Sequence, residues 1–186
     1  MSDLKLDVDQ ASELKAAFRR GDWTNEEIKR LCEGDMLARV RAVILGRSEI
    51  KVLECVIVLD ADPFVPKDWT VESHQKMGLW KWNLKDVELF LVSGQRDIIV
   101  GEELRKALQG KKVLNANVLD YLLAHLYLIP EEWKGKCIFF WGTIYCRADG
   151  NLYVRYLGWS GVRWVCDYRW LASEWQALNP SAVLVS

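Results

Sequence analysis

The chain has 186 residues, 51% of them hydrophobic and 27% charged, with a formal net charge of −1. That length supports one domain or two small ones with a core of their own, and the near-neutral balance leaves no global electrostatic footprint for nucleic acid or an anionic membrane, while a local basic patch stays open. Five cysteines, an odd number without paired spacing, exclude a disulfide framework and fit a reducing compartment.

No apolar run approaches the roughly 18 residues that a bilayer span needs. The N-terminus, Met1-Ser2-Asp3-Leu4-Lys5-Leu6-Asp7, has neither the basic nor the apolar region of a secretory signal. A soluble, cytoplasmic protein without membrane insertion is expected.

Residues 8–46 read as helical. Ala11, Leu14, Ala17 and Phe18 form one apolar stripe that Gly21 ends, and Thr24-Asn25-Glu26-Glu27 is a capping box. Ile28, Leu31 and Cys32 face inward up to Gly34, and a third helix from Asp35 places Leu37, Val40 and Ile44 inside, with Gly46 as its stop. Two helices joined at Gly34-Asp35 also admit a helix-turn-helix offering Arg39, Arg41 and Arg47 to phosphates. A small helical subdomain with solvated arginines is the preferred reading.

From Glu49 the period changes. Val52 to Leu59 has the composition of a buried strand, and Asp60-Ala61-Asp62-Pro63-Phe64-Val65-Pro66 closes it as a turn. Its two aspartates fall short of the six or so oxygens that calcium takes. Gly78 to Leu84 and Val87 to Val92 read as strands, the first with Trp80, Trp82 and Leu84 on one face and Lys81 and Asn83 on the other. Glu102 to Gln109 and Asn117 to Leu126 read as helices, with Asn117 as the second cap. Cys137 to Tyr145 and Leu152 to Leu157 form a hairpin around Arg147-Ala148-Asp149-Gly150-Asn151, whose Asp-Gly supplies positive φ. The whole reads as α+β: a helical N-terminal subdomain over 1–47, a mixed α/β region over 48–128 and a β-rich C-terminal region over 129–186. Residues 48–186 are also compatible with a single domain.

Catalytic and metal signatures are missing from the sequence. His74 and His125 stand alone, Cys137, Cys146 and Cys166 are too widely spaced for a zinc motif, and no phosphate-binding glycine loop or nucleophile elbow occurs. No cofactor, no metal and no catalytic residue is expected.

The texture changes again after Leu157. Trp159, Trp164, Trp170 and Trp175 punctuate small, charged, aromatic and polar residues, which suggests large anchors framing variable contents. The stretch Val162-Arg163-Trp164-Val165-Cys166-Asp167-Tyr168-Arg169-Trp170-Leu171-Ala172-Ser173-Glu174-Trp175-Gln176-Ala177-Leu178-Asn179-Pro180-Ser181-Ala182-Val183 resembles the tail of the variable proteins of diversity-generating retroelements. In such tails the pattern runs Trp-x-Trp-x-x-x-Trp-Leu-x-x-x-Trp-x-x-Asn-Pro-x-Ala-Val, and Val162 here replaces its first tryptophan. Many x positions in the family derive from asparagine codons mutated at adenines. Changing the adenines of AAC yields Val, Cys, Asp, Tyr, Arg, Ala, Ser or Leu, the assortment found here, whereas the tryptophan codon has no adenine. Glu174 and Gln176 cannot arise that way.

The resemblance implies a C-type-lectin-like fold with a non-enzymatic ligand-binding face. The expected site is Leu157, Ser160, Val162, Arg163, Val165, Cys166, Asp167, Tyr168, Arg169, Ala172, Ser173, Ala177 and Leu178, over tryptophans that pack beneath. The expected partner is a variable ligand, another protein rather than nucleic acid. A nucleic-acid-binding role for the N-terminal helices and a carbohydrate-binding role for exposed tryptophans are the alternatives. A display surface predicts that changes at Val165, Cys166 or Arg169 leave stability within about 0.5 kcal/mol, and that Trp170→Ala costs roughly 3–5 kcal/mol as a core deletion.

Overall fold

The computed structural model describes residues 7–50, 54–93, 95 and 97–185. The chain divides into two compact units, Met1–Leu53 and Glu54–Ser186.

The first unit holds three helices, α1 (Val8–Arg20), α2 (Asn25–Leu31) and α3 (Met36–Ile44). Thr24 and Glu27 form the expected capping box, and Asp7 with Gln10 forms a second one in front of α1. Gly46, with φ of 66°, follows the end of α3 in the left-handed conformation that glycine adopts without strain. The expected inward faces are not buried. No residue of the three helices is buried, and Leu37, Val40 and Ile44 are 52%, 38% and 78% exposed. Three short helices have too little facing surface to enclose a core. The largest ring contact of the unit is Phe18 against Trp23, with centroids 5.3 Å apart. Arg39 is held by Asp35 at 2.9 Å.

The second unit is α+β. Its strands are β1 (Val56–Val58), β2 (Trp69–His74), β3 (Leu79–Lys81), β4 (Val87–Phe90), β5 (Ile99–Val100), β6 (Cys137–Arg147), β7 (Leu152–Trp159), β8 (Trp164–Trp170), β9 (Glu174–Trp175) and β10 (Ser181–Leu184); its helices are α4 (Gly101–Ala107) and α5 (Ala116–Ala124). One six-stranded sheet runs β4-β10-β6-β7-β8, with β2 also pairing on β6. Strands of the middle and C-terminal regions thus share a sheet. The expected strand over 52–59 is present as β1, its first two residues lying outside the described ones, and only Ile57 of Val56–Val58 is buried. β1 pairs with β3 alone, and its Val56 and Val58 side chains stay 42% and 49% exposed.

β6 carries the fold. Ile138 to Tyr145 are all buried, because both faces of this strand are covered, and the polar Thr143 among them is hydrogen-bonded to His74 and to Ala116 N–H. One face packs on α5 through Leu119, Leu122, Ile138, Phe140 and Leu157, with Trp133 and Trp164 at its margin. The other packs Leu104 and Leu108 of the α4 segment against Phe139, Trp141, Val154, Leu171 and Trp175. The β6–β7 register shifts between Phe139 and Ile144. There Gly142 N–H donates to Leu114 O at 2.9 Å, and an added Cβ would stand 2.7 Å from Val113 O. Only glycine lets the 113–115 segment cross β6 so closely.

Two residues depart from expectation in informative ways. The cap of α5 is Asn115, which accepts from Asn117 N–H, while the Asn117 side chain donates to Val58 O and Ala61 O and ties the β1 turn down. His74 is a structural residue: a carbonyl can only accept, so Nε2–H donates to Leu59 O at 3.0 Å and Nδ1 accepts from the Thr143 hydroxyl at 2.8 Å. The hairpin loop forms as read, with Gly150 at φ 82°.

Candidate functional site

Three segments carry the tail residues: the β7–β8 turn, strand β8, and the return from Leu171 to Pro180. The turn is fastened by Ser160, whose hydroxyl donates to Arg163 O at 2.9 Å and accepts from Arg163 N–H at 3.2 Å, while Gly161 supplies φ of 92°. Val162 at its tip is 85% exposed. Arg163 beside it is exposed as well.

β8 is the outermost strand of the β4-to-β8 path and pairs with β7 from Trp159↔Trp164 to Tyr153↔Trp170. Its pleat sends successive side chains to opposite faces, so the residues between the tryptophans do not form one surface. Val165, Asp167 and Arg169 share a face, on which the Arg169 guanidinium lies 5.2 Å from the Trp175 ring. Asp167 is exposed, Val165 and Arg169 half-buried. Cys166 and Tyr168 take the other face and join a network on Arg155.

In the return, the backbone is clamped and the side chains face out. Gln95, fully buried, donates through Nε2 to Asn179 O at 2.6 Å and Gln176 O at 3.2 Å, and the Asn179 side chain accepts from Gln176 N–H at 3.0 Å. Leu178 O and Pro180 O accept from Cys137 and Phe139 N–H, both at 2.9 Å. Gly101 N–H donates to Ser173 O at 3.3 Å, and a Cβ on Gly101 would stand 2.3 Å from Leu171 O. Above this clamp Ala172, Glu174, Gln176, Ala177 and Leu178 are exposed and Ser173 half-buried.

The frame differs from expectation at two positions. Trp164, Leu171 and Trp175 are 9%, 1% and 0% exposed, but Trp170 is 45% exposed and is not a core residue. It ends the edge strand, opposite Tyr153 in register. Leu157 is fully buried in the core against α5 and leaves the candidate surface. An apolar residue that follows the strand alternation inward offers nothing to a ligand.

The Arg155 network is a second polar constellation. Arg155, 4% exposed, sits in strand β7 and makes a bidentate pair with Asp120 at 2.7 and 3.0 Å, with a further contact to Cys166 Sγ at 3.4 Å. Burial pushes its pKa down, yet the hydrogen bonds from Asp120 and Cys166 outweigh it, so the net shift is upward and the guanidinium stays charged. Trp69 stacks between Tyr153 and Tyr168, each centroid 4.8 Å away, and Tyr145 meets Tyr168 edge-on at 5.4 Å. Burial pushes the Tyr168 phenol up to about 12 and raises that of Tyr145, with Arg155 opposing in both cases. Both phenols therefore stay protonated near neutral pH. Burial also raises Tyr156, with Asp167 adding to the effect.

Cys137 and Cys146 lie at opposite ends of β6, so the three downstream cysteines do not converge. Among the described residues no cluster of three or more His, Cys, Asp or Glu side chains is placed to hold a metal ion, and no helix is long and apolar enough to cross a membrane. The class these features define is an α+β unit with a clamped, tryptophan-bearing edge. Comparison of the chain with family models, with curated proteins and with solved structures finds no match.

Gln95, Gly101, Asp120 and Arg155 are the positions that sequence reasoning missed. Arg155 alone left a signal, as one charge inside the apolar and aromatic strand Leu152 to Leu157. Gln95 and Asp120 sit in ordinary polar contexts, and their roles arise from contacts 84 and 35 residues away.

Proposed function

We propose that the second unit is a non-enzymatic display domain of C-type-lectin-like type, as in the variable proteins of diversity-generating retroelements, and that it binds another protein through the tail. One observation carries this reading: Val162, Arg163, Val165, Asp167, Arg169, Ala172, Ser173, Ala177 and Leu178, each of which adenine changes in an AAC codon can produce, stand exposed or half-exposed, while Trp164, Leu171 and Trp175 are buried beneath them. The working surface is Val162 and Arg163 at the turn, Val165, Asp167 and Arg169 on the strand, and Ala172, Ser173, Ala177 and Leu178 on the return. Ser160 belongs to the turn itself, and Cys166 and Tyr168 to the Arg155 network, so variation there touches the frame. A rigid frame favours such a role because it lowers the ordering cost of binding.

The exposed Trp170 ring favours a carbohydrate ligand as the second reading, which a glycan array separates. The direct test of the display reading is the neighbouring DNA. It predicts a reverse transcriptase gene and a near-repeat of the codons for residues 159 to 183 that differs only at adenines. Neighbouring DNA without either overturns it.

A further inference from the structure

A cleft of about 360 Å³ opens beside the α4 segment of the second unit and is lined by Gln75, Arg105, Gln109, Lys111, Lys112 and Trp141. Its volume falls within the range of about 300–1,000 Å³ typical of small-molecule sites. Two features give it a chemical preference. Arg105, Lys111 and Lys112 bring three positive charges to its wall, and no carboxylate lines it. Glu88 shares the adjoining depression with Lys111 and Lys112. Trp141, 5% exposed, forms part of the cleft wall, so its indole signal reports on an occupant.

The cleft is held in place: Lys112 O accepts from Leu184 N–H at 2.8 Å, Leu114 N–H donates to Ala182 O at 2.9 Å, and Gln75 N–H donates to Gly142 O at 2.6 Å. Lys111 holds its Nζ 3.9 Å from the Phe90 ring centroid, a contact that does not neutralise its charge. A guanidinium fork and two ammonium groups match a multiply charged oxyanion, whereas a single carboxylate would leave most of these donors idle.

We propose that this cleft binds the phosphate or diphosphate group of a small molecule, through Arg105, Lys111 and Lys112. The site shares no residue with the display surface and does not depend on that function. Its test uses the full chain labelled with ¹⁵N, in which the ten tryptophans give resolvable indole N–H signals, the Trp141 signal being the one that Trp141→Phe removes. Titration with inorganic pyrophosphate should move that signal saturably, acetate at the same ionic strength should not, and the paired change Arg105→Gln with Lys112→Gln should weaken binding at least about tenfold. Vesicles containing phosphatidic acid form a parallel arm: a response to vesicles without one to pyrophosphate assigns the phosphate to a lipid headgroup and overturns the small-molecule proposal. An unmoved Trp141 signal, or a response that the paired change leaves intact, overturns it as well. Should Trp141→Phe fail to fold, the loss of response in the paired variant, whose substitutions lie at the cleft wall, carries the same decision.

Discussion

Strand β8 and the return loop that follows it carry the same kind of sequence, tryptophans with unrelated residues between them, yet the two treat those residues differently. On β8 the pleat divides them. Cys166 and Tyr168 are drawn into the Arg155 network, and Val165, Asp167 and Arg169 stay on the outer face. On the return only the two-residue strand β9 alternates, and backbone clamps from Gln95 and Asn179 hold the chain while Ala177 and Leu178 face solvent. A strand therefore offers about half of its interleaved positions for variation, and a clamped loop offers nearly all of them.

Breaking the frame under both segments should have the largest effect. Trp175 packs its ring 4.1 Å from Phe139 and 4.9 Å from Trp141 at full burial, so Trp175→Ala should lower stability by about 3–5 kcal/mol in denaturant unfolding. Trp170→Ala, at a half-exposed ring, should cost about 1 kcal/mol. Next comes the strand's inner network. Asp120→Ala leaves the Arg155 charge buried without its partner and should cost about 3 kcal/mol, the lower end of the range for such breaks because Asp120 is 38% exposed. The loop clamp follows: Gln95→Leu leaves the Asn179 and Gln176 carbonyls without their donor, a loss of about 2 kcal/mol.

A titration sharpens the same contrast. A phenol whose folded pKa lies above its unfolded value supports the fold fully below the unfolded pKa and loses that support as pH rises. Tyr168, raised from 10.0 to about 12 by burial, should therefore make stability fall between those values. Tyr168→Phe should flatten that fall, read as unfolding midpoint against pH. No comparable change is expected from substitutions on the return loop.

Much of this architecture was legible in the chain, for reasons that differ by element. The capping box at Thr24, the Asp149-Gly150 turn and the long apolar strand from Cys137 are local signals, and local chemistry decides them. Strand β2 was not legible, because Trp69 to His74 mixes polar and apolar residues and forms only by pairing on β6. The helical stripes of the first unit were read correctly as helices and wrongly as a core, since periodicity reports which residues share a face and says nothing of what covers it. The same limit explains Trp170. Its spacing matches that of Trp164 and Trp175, and only the edge position of β8 leaves it in solvent.

The measurement that bears most directly on the frame-and-display account is denaturant unfolding of one variant carrying Val162→Ser, Arg163→Ser, Ala177→Ser and Leu178→Ser together, beside Trp175→Ala. All four positions are exposed, and surface changes stay within about 0.5 kcal/mol each. The account predicts that the fourfold variant keeps the parent's midpoint and cooperativity to within about 1 kcal/mol, while the single tryptophan change costs at least three times as much. A fourfold variant as unstable as Trp175→Ala would contradict it.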